Sequence, residues 1–417
     1  MSFDSNLKEI FGEGGYNHDY VSVVHNPRGQ QGTNFSYVNE YLIFVYPKNT
    51  KKYLADFKKE EVDSRNLRDS GTESDRTDAR NCFYPFLVKS GKIVGIGDVP
   101  DNSFHPESAN VELADGTLQV WPMTDNGDEK KWRYARQSVE SILGKLEAKP
   151  GRTSIQIIFN KDSGTMRSVW ANARYDSSEY GSKLLDELIP GAGFTYPKSL
   201  WAVYDCVFAA TESDKSALVM DFFAGSSTTA HAVFQLNADD GGNRRFIMVQ
   251  VPQPCEPDTQ PYKNGFRTIA DISKERIRRA GKKVLQGQCH EGWHRDIGFR
   301  ALKIDASNMA DVYYAPDALE KPNLDMFVDN IKPDRTPEDL LFQVMLDWGV
   351  DLALPIAKLA IQGKDVFLVD GNALAACFDG HGGVDEDFVK ELAKVQPLRV
   401  VFRDAGFKDS SVKINVE

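Results

Sequence analysis

One stretch of the sequence, Ala217–Val233, constrains the fold more than any other. It begins with an apolar run of strand length, passes through Gly225 and small hydroxyl residues, and continues into sequence that can begin a helix. A strand, a tight glycine loop and a helix in this order are typical of α/β sheets, which bind ligands at the carboxyl ends of their strands. Gly225 gives the backbone freedom to approach a ligand, and loop N–H groups can bind one at the helix N-terminus. The sequence therefore predicts a binding loop here, with Asp221 at the strand tip.

The local pattern leaves two interpretations of this loop open. Many α/β domains contain a buried strand followed by a glycine turn with no ligand, so the loop could be purely structural. A ligand-binding loop is the other interpretation. A phosphate-binding P-loop is excluded, because Gly225-Ser226-Ser227-Thr228 has no Lys before the hydroxyl residues.

Composition indicates a globular protein of two or three domains. The chain has 417 residues, of which 41% are hydrophobic and 27% charged. No apolar run is long enough to span a membrane and no signal peptide pattern is present, so we expect a cytoplasmic protein. The five Cys residues are scattered, so neither a disulfide framework nor a metal site is expected. A formal net charge of -11 argues against non-specific coating of nucleic acid but allows a local basic face.

Changes in sequence pattern divide the chain into four predicted parts. These are residues 1–50, the first part of an α/β sheet; 51–190, a region of short strands; 191–305, a return to the α/β pattern; and 306–417, an acidic, Pro-punctuated linker with a small α/β subdomain. In the first part, Glu40–Tyr46 is nearly all apolar and is expected to be buried on both faces. In the second part, Trp132–Leu146 is expected to form an amphipathic helix.

Basic side chains are concentrated in two stretches of residues 51–190. The basic residues singled out there are Arg65, Arg68, Arg76, Arg80, Lys131 and Arg133. Such charges usually form a solvated face, but Arg beside exposed Tyr and Trp also suits contacts with phosphates and bases, and the segment alone does not favour either interpretation. A further basic run lies on a predicted helix, Ile272–Leu285, where charges around most of the circumference indicate solvation.

Several motifs together resemble a known family. Asp221–Ala230 is similar to the S-adenosylmethionine loop of amino-methylating DNA methyltransferases, whose pattern is Phe-x-Gly-x-Gly, and Lys198-Ser199 resembles their neighbouring cofactor motif. Tyr262–Ala270, Ser273–Gly281 and Thr336–Gln343 resemble more specifically the modification subunit of type III restriction-modification systems. The similarity covers nearly the whole chain.

The resemblance implies a site-specific adenine-N6 DNA methyltransferase of the permuted (beta) class. The implied fold is α/β, an incomplete Rossmann-like methyltransferase sheet with an inserted mixed α+β target-recognition domain over residues 51–190 and a small C-terminal α/β assembly subdomain. The implied cofactor is S-adenosylmethionine, and the implied partners are double-stranded DNA, a second copy of the chain and an ATP-dependent restriction subunit. The implied cofactor residues are Lys198, Asp221, Phe223, Gly225, Ser226, Ser227, Thr228 and Gln253. By the same resemblance, the six basic residues singled out above are expected to contact DNA.

The chain departs from the family pattern at three points. Ser227 replaces the second motif glycine, which the backbone would tolerate if its torsions stay negative. Gln253 replaces the acidic residue expected at the tip of the second strand, so a hydrogen bond to a ribose hydroxyl is expected without charge assistance. The catalytic Asp-Pro-Pro-Tyr element is absent from the sequence.

The third departure means that no catalytic residue is expected in this chain. Methyl transfer needs an acceptor for the adenine amino hydrogens and an aromatic face for the flipped base. In the related fold the strand that carries these groups lies beside the cofactor strand, so Val219–Phe223 is expected to have an unpaired edge. We therefore expect a truncated or split enzyme, inactive alone and completed by a separate fragment. The alternative is a non-catalytic DNA-recognition or assembly subunit that needs no cofactor, and a weaker one is a related enzyme acting on RNA or a small molecule.

Overall fold

The computed structural model describes residues 3–12, 14–48, 52–310 and 330–416. These residues form a mixed α/β structure with several separate sheets, as expected from the sequence. The chain divides into two compact units, Met1–Ile297 and Gly298–Glu417. Within the described ranges, no helix is long and apolar enough to cross a membrane.

The first unit alternates between strands and helices. Its strands are β1 (Tyr16–Val24), β2 (Gln30–Gln31), β3 (Ser36–Tyr37), β4 (Asn39–Pro47), β5 (Phe57–Asn66), β6 (Phe86–Lys89), β7 (Lys92–Ile96), β8 (Asn110–Glu112), β9 (Leu118–Val120), β10 (Leu146–Pro150), β11 (Ile155–Gly164), β12 (Val169–Trp170), β13 (Leu218–Asp221) and β14 (Arg245–Met248). Its α-helices are α1 (Phe3–Phe11), α2 (Arg136–Val139), α3 (Leu184–Leu188), α4 (Leu200–Thr211), α5 (Thr228–Asp240), α6 (Gln260–Lys263) and α7 (Ile269–Leu285).

The N-terminal strands form a sheet in the order β12-β1-β4, in which β1 runs parallel to β12 and antiparallel to β4. One face of this sheet packs on α4 through a core that includes Val23, Trp170 and Ala202. The expectation that β4 is buried on both faces is wrong, because its residues are half-buried and Tyr41 is 69% exposed. An antiparallel strand with one face on the core leaves its other face in water, even where that face is apolar.

Residues 57–164 contain two sheets, β10-β11-β5 and β7-β6-β9-β8, which share one core. Trp132 is at its centre, 2% exposed, and its ring N–H donates to the Tyr84 carbonyl oxygen at 2.7 Å. The predicted helix Trp132–Leu146 is therefore wrong: only α2 is α-helical, Glu140–Lys145 forms 3-10 turns, and Leu146 begins β10. Trp132 is extended and forms a β-bridge with Arg68. Burial of its side chain in the core outweighs the helix preference that the surrounding periodicity indicates.

The strand–loop–helix prediction for Ala217–Val233 is confirmed. β13 ends at Asp221, a six-residue loop follows, and α5 begins at Thr228. β13 pairs in parallel with β14, and α5 forms the crossover between them. The sheet packs on α4 and α5 through Val207, Val219 and Val233. Among the described residues β13 has no strand neighbour besides β14, so its other edge is unpaired, as expected from the sequence.

The second unit contains a four-stranded sheet and three helices among its described residues. The strands are β15 (Ile356–Ile361), β16 (Lys364–Val369), β17 (Leu374–Cys377) and β18 (Val400–Phe402), in that order, and the helices are α8 (Pro337–Asp347), α9 (Glu386–Ala393) and α10 (Ser410–Val416). The core around Leu341, Met345 and Phe367 joins α8 to the sheet. Helices and strands both occur here, as expected for a small α/β subdomain, and residues 311–329 of the predicted linker lie outside the described ranges.

Candidate cofactor loop

The loop between β13 and α5 is held in shape by two polar side chains. Asp221, at the end of β13, accepts hydrogen bonds from the Phe223 backbone N–H at 3.1 Å and from the Thr229 hydroxyl at 2.6 Å. Gln250, just beyond β14, accepts the Gly225 N–H at 2.7 Å through its side-chain oxygen. The carboxyl ends of both strands therefore contribute to one fixed loop.

Two residues of this loop, Gly225 and Ser227, have left-handed backbone torsions. Gly225 has a φ of 53°, and a Cβ added there would lie 3.2 Å from Cζ of Phe194. Ser227 has a φ of 61° and a ψ of 43°, so the condition of negative torsions is not met, and a Cβ here costs strain. Its side chain is fully buried and its hydroxyl has no partner among the described residues. Because that side chain points into the protein, it leaves the solvent side of the loop open.

The three hydroxyl residues Ser226, Ser227 and Thr228 all turn inward and are at most 6% exposed. The Ser227 N–H donates to the Ala224 carbonyl oxygen at 2.6 Å, so a ligand contact here would use the backbone N–H groups of Ser226 and Thr228, at the N-terminus of α5. Behind them is Arg276 of α7, whose Nη1 donates to the hydroxyls of Ser226 and Thr228, both at 2.8 Å. The Ser273 hydroxyl, one turn earlier on α7, donates to the Gly225 carbonyl oxygen. α7 therefore fixes the loop from behind.

The prediction that the charges of the basic helix α7 are solvated is wrong for Arg276. Its side chain is fully buried, while its neighbours Arg278 and Arg279 are about half exposed and bind Glu275. The sequence did contain a signal for this, because Ile272, Arg276 and Ala280 follow one another at a spacing of four residues on the buried face of α7. Sequence reasoning missed Arg276 because it weighed the charges and not the apolar stripe.

Arg276 remains charged at neutral pH although it is buried. Burial lowers its pKa to about 10, which is still well above 7. His231 of α5 is 2% exposed, and burial, with the charge of Arg276 second, lowers its pKa well below the ordinary value. No carboxylate among the described residues pairs with Arg276, and its Nε and Nη2 have no hydrogen-bond partner there. The loop therefore lies over an uncompensated positive charge.

The solvent side of the loop is aromatic. Phe223 is 81% exposed, and its ring centroid lies 5.1 Å from that of Phe222. An exposed ring at a strand end suits stacking with a planar group. Lys198, predicted for the same site, is paired with Glu40.

Gln253 does not lie at the tip of the second strand. β14 ends at Met248, five residues earlier, and Gln253 is exposed with its backbone N–H bonded to the Val251 carbonyl oxygen at 2.7 Å. The polar side chain that reaches the loop from this strand end is Gln250, through Gly225. Sequence reasoning missed Gln250, because a Gln two residues past a strand carries no local signal that it contacts a loop 25 residues earlier.

A cavity of about 420 Å³ lies beside β13 and α4. Its walls are largely apolar and include Val203, Cys206 and Met220. Burial raises the pKa of the Cys206 thiol to about 12, so this thiol is not ionised at neutral pH. Asp221, Phe223 and Thr229 of the loop also line this cavity. Its apolar walls beside the unpaired strand edge suit a polypeptide segment.

The structure brings the two basic stretches of residues 51–190 together. Backbone hydrogen bonds join them, from Asp69 N–H to the Lys131 carbonyl oxygen at 2.8 Å and from Arg133 N–H to the Leu67 carbonyl oxygen at 3.1 Å. Their charges are partly used within the fold. Arg133 pairs with Asp69 at 3.5 Å, and Arg68 donates to the Met123 carbonyl oxygen.

Arg76 is the most completely engaged of the six basic residues. It pairs with Glu129 at 3.0 Å, donates to the carbonyl oxygens of Asp101 and Phe104, and stacks over the Phe83 ring at 4.1 Å. These contacts indicate a structural role. Of the six, Arg65, Arg80 and Lys131 have neither an ion pair nor the backbone hydrogen bond that Arg68 makes among the described residues, and Arg65 stacks over Phe159. These three remain the DNA-contact predictions best placed to reach a ligand.

Comparison with known proteins decides the family. A family profile described as DNA methylase, of the N6/N4 methyltransferase type, matches residues 5–255. This DNA methylase match includes the sheet β12-β1-β4, the sheets of residues 57–164 and the loop after β13. The chain belongs to the DNA methylase family.

Individual relatives of this DNA methylase are similar over most of its length. It is 25% identical to the type III restriction-modification enzyme EcoPI Mod subunit of Escherichia phage P1 and 27% identical to the EcoP15I Mod subunit of Escherichia coli, in each case over 96% of this chain and 63% of the relative. It is 28% identical to the type II methyltransferase M.KpnI of Klebsiella pneumoniae, over 65% of this chain and 64% of the relative. The expected similarity to type III modification subunits is confirmed, and the chain spans less than two thirds of the length of these relatives.

Proposed function

We propose that this DNA methylase binds S-adenosylmethionine at the loop after β13 and takes part in methyl transfer to N6 of adenine in double-stranded DNA. The observation that carries the proposal is the glycine-bent loop at the carboxyl end of β13, with an exposed aromatic side chain on one side and a buried cation behind it. The cofactor would supply the methyl group.

The residues present suit this cofactor. Phe223 offers an exposed ring for the adenine base, and Asp221 is a carboxylate beside the loop for a cationic group. The N–H groups of Ser226 and Thr228 and the charge of Arg276 favour an anionic group, whereas the Ser227 N–H donates to the Ala224 carbonyl oxygen at 2.6 Å. Gln253 is exposed near the second strand and would donate or accept a hydrogen bond with a ribose hydroxyl.

Calorimetric titration with S-adenosylmethionine tests the proposal. The wild-type chain is expected to bind, and G225A is expected to bind at least about tenfold more weakly, because a Cβ at positive φ would shift the loop. G144A is the matched control, since Gly144 has no atom within 4 Å of an added Cβ and no left-handed torsion. Absence of wild-type binding, or equal binding by G225A, would overturn the proposal.

We further propose that the chain acts with other macromolecules, as the names of its relatives suggest. Residues 51–190 would recognise DNA, and a second copy and an ATP-dependent restriction subunit would complete the assembly. The 417 residues contain no Asp-Pro-Pro-Tyr element, so catalysis would need a segment that carries these groups and presents the base, which we propose to be a separate fragment. The unpaired edge of β13 and the apolar cavity beside it support the docking of such a fragment.

A second candidate is a non-catalytic DNA-recognition or assembly subunit. It is favoured by the missing catalytic element and by the hydrogen bond from Gly225 to Gln250, which occupies one loop N–H with a protein group. The same titration separates the two candidates. If the chain binds DNA but gives no binding heat with S-adenosylmethionine, the second candidate function is supported.

A further inference from the structure

Arg276 is a buried cation that has no counter-ion among the residues that the structure describes. Its side chain is fully buried, and its hydrogen bonds among the described residues go to two neutral hydroxyls, those of Ser226 and Thr228. The nearest carboxylate in sequence, Glu275, instead binds Arg279 at 2.6 Å and Arg278 at 3.4 Å. Buried charges are costly and are normally paired, so this arrangement needs an explanation beyond packing.

The surroundings of Arg276 do not cancel its charge. His231, the other buried titratable group there, is neutral at pH 7 because burial lowers its pKa. The first turn of α5 contains no acidic residue. Asp221, the carboxylate of the loop, binds the Phe223 N–H and the Thr229 hydroxyl and does not pair with Arg276. The uncompensated charge therefore adds to the positive potential at the N-terminus of α5.

Two independent features point to an anionic ligand group at this helix end. The first is the 13-residue helix α5, whose first N–H groups follow the loop. The second is the buried Arg276 guanidinium, which is bonded to the hydroxyls of Ser226, in the loop, and Thr228, the first residue of α5, and has two donors without a partner among the described residues. A cationic sulfonium would be repelled here, whereas a carboxylate would be attracted.

We propose that Arg276 is a positioning residue that supplies the charge by which the loop binds the carboxylate of the cofactor's amino-acid end. It acts through Ser226 and Thr228 and through the field at the start of α5, and it does not touch the ligand. The inference rests on the proposed binding of S-adenosylmethionine and adds the residue that selects the carboxylate.

The test compares two ligands that differ only in this carboxylate, S-adenosylmethionine and decarboxylated S-adenosylmethionine. In calorimetric titrations, R276Q is expected to weaken binding of the first by roughly tenfold or more and to leave binding of the second within about twofold. R276K, which keeps the charge, is expected to retain most of the preference for the carboxylate. R278Q is the control, because it removes the same charge from an exposed position on the same helix.

The outcomes are distinct. Equal weakening of both ligands by R276Q means that Arg276 only maintains the fold, and this overturns the inference while the proposed function stands. If R276Q does not fold, the wild-type chain still tests the inference. The inference is overturned if the wild-type chain binds S-adenosylmethionine less than about twofold more tightly than the decarboxylated form. If the wild-type chain binds neither ligand, the proposed function and this inference fall together.

Discussion

At the scale of single residues, Ser227 is the position where the sequence and the backbone disagree most. Its left-handed torsions suit glycine, yet it carries a buried side chain whose hydroxyl has no partner among the described residues. Both features are destabilising. The residue is tolerated because the rest of the loop is fixed by Asp221, Gln250 and α7.

We therefore expect S227G to stabilise the chain by about 1 kcal/mol, since it removes a Cβ from a left-handed position and an unpaired buried hydroxyl. Thermal unfolding of the purified variant measures this as a higher midpoint. S226G is the matched control, because Ser226 has no left-handed torsion and its hydroxyl accepts from Arg276 at 2.8 Å. It is expected to cost about 1 kcal/mol or more. A lower midpoint for S227G would contradict the strain interpretation.

A second prediction at this scale concerns the basic residues of 51–190 that are expected to contact DNA. Removing Arg65, Arg80 or Lys131 singly is expected to lower the salt dependence of DNA binding, by up to about one in the slope of log affinity against log salt. Fluorescence anisotropy over a salt series measures the slope. R76A is the contrast, because Arg76 is bound within the fold, so it should lower stability and leave the slope unchanged. An equal slope change in R76A would argue that the contacts of Arg76 are not structural.

At the scale of elements, helix ends follow the local sequence closely. α8 begins with a capping box, in which Thr336 and Asp339 exchange hydrogen bonds of 2.8 to 3.2 Å. The hydrogen bonds from Thr336 hold the pKa of Asp339 below its ordinary value. A carboxylate with a lowered pKa in the folded state contributes stability above its ordinary pKa, and this is lost as the pH falls through the lowered value.

D339N is accordingly expected to destabilise α8 by about 0.5 kcal/mol at pH 7, with the difference vanishing as the pH falls through the lowered pKa of Asp339. Hydrogen exchange of the α8 amides at several pH values measures this, and roughly twofold faster exchange is expected at neutral pH. E338Q removes a first-turn charge without a capping hydrogen bond and should have the smaller effect. A pH-independent difference for D339N would show that its charge is not involved.

The region Trp132–Leu146 shows where element predictions fail. Its apolar spacing fits a helix, but Trp132 is needed in the core shared by two sheets, and Leu146 is needed in β10. Tertiary burial of a large aromatic side chain outweighs a preference of a few tenths of a kcal/mol per residue, about the range of helix propensities. The helix shrinks to α2 and a run of 3-10 turns.

At the scale of the first unit, β13 has an edge with no strand partner among the described residues, and apolar side chains are exposed along this strand. Leu218 and Met220 are 52% and 58% exposed, and both line the apolar cavity beside α4. An unpaired edge with an apolar lining is a template for another strand. The edge is therefore expected to govern both solubility and complementation.

We expect the purified chain to incorporate no methyl groups into duplex DNA from labelled S-adenosylmethionine. Addition of a segment of a type III modification subunit that carries Asp-Pro-Pro-Tyr is expected to give incorporation, because it would supply the base-holding groups. M220K should abolish that gain by placing a charge in the apolar cavity, whereas I304K, at a residue 95% exposed in the second unit, should not. Incorporation by the chain alone would contradict the split-enzyme proposal.

The sequence by itself determined the order of strand, glycine loop and helix, and the family, because these depend on residues close together in the chain or on motifs read directly. Only the tertiary structure decided that Arg276 lies buried behind Ser226, 50 residues earlier, that Gln250 binds Gly225, and that Arg76 is used within the fold. Those outcomes depend on which distant elements pack together. The apolar stripe of α7 indicates that Arg276 is buried, but whether a buried charge contacts a hydroxyl or a carboxylate depends on a distant element, and the local sequence does not contain that information.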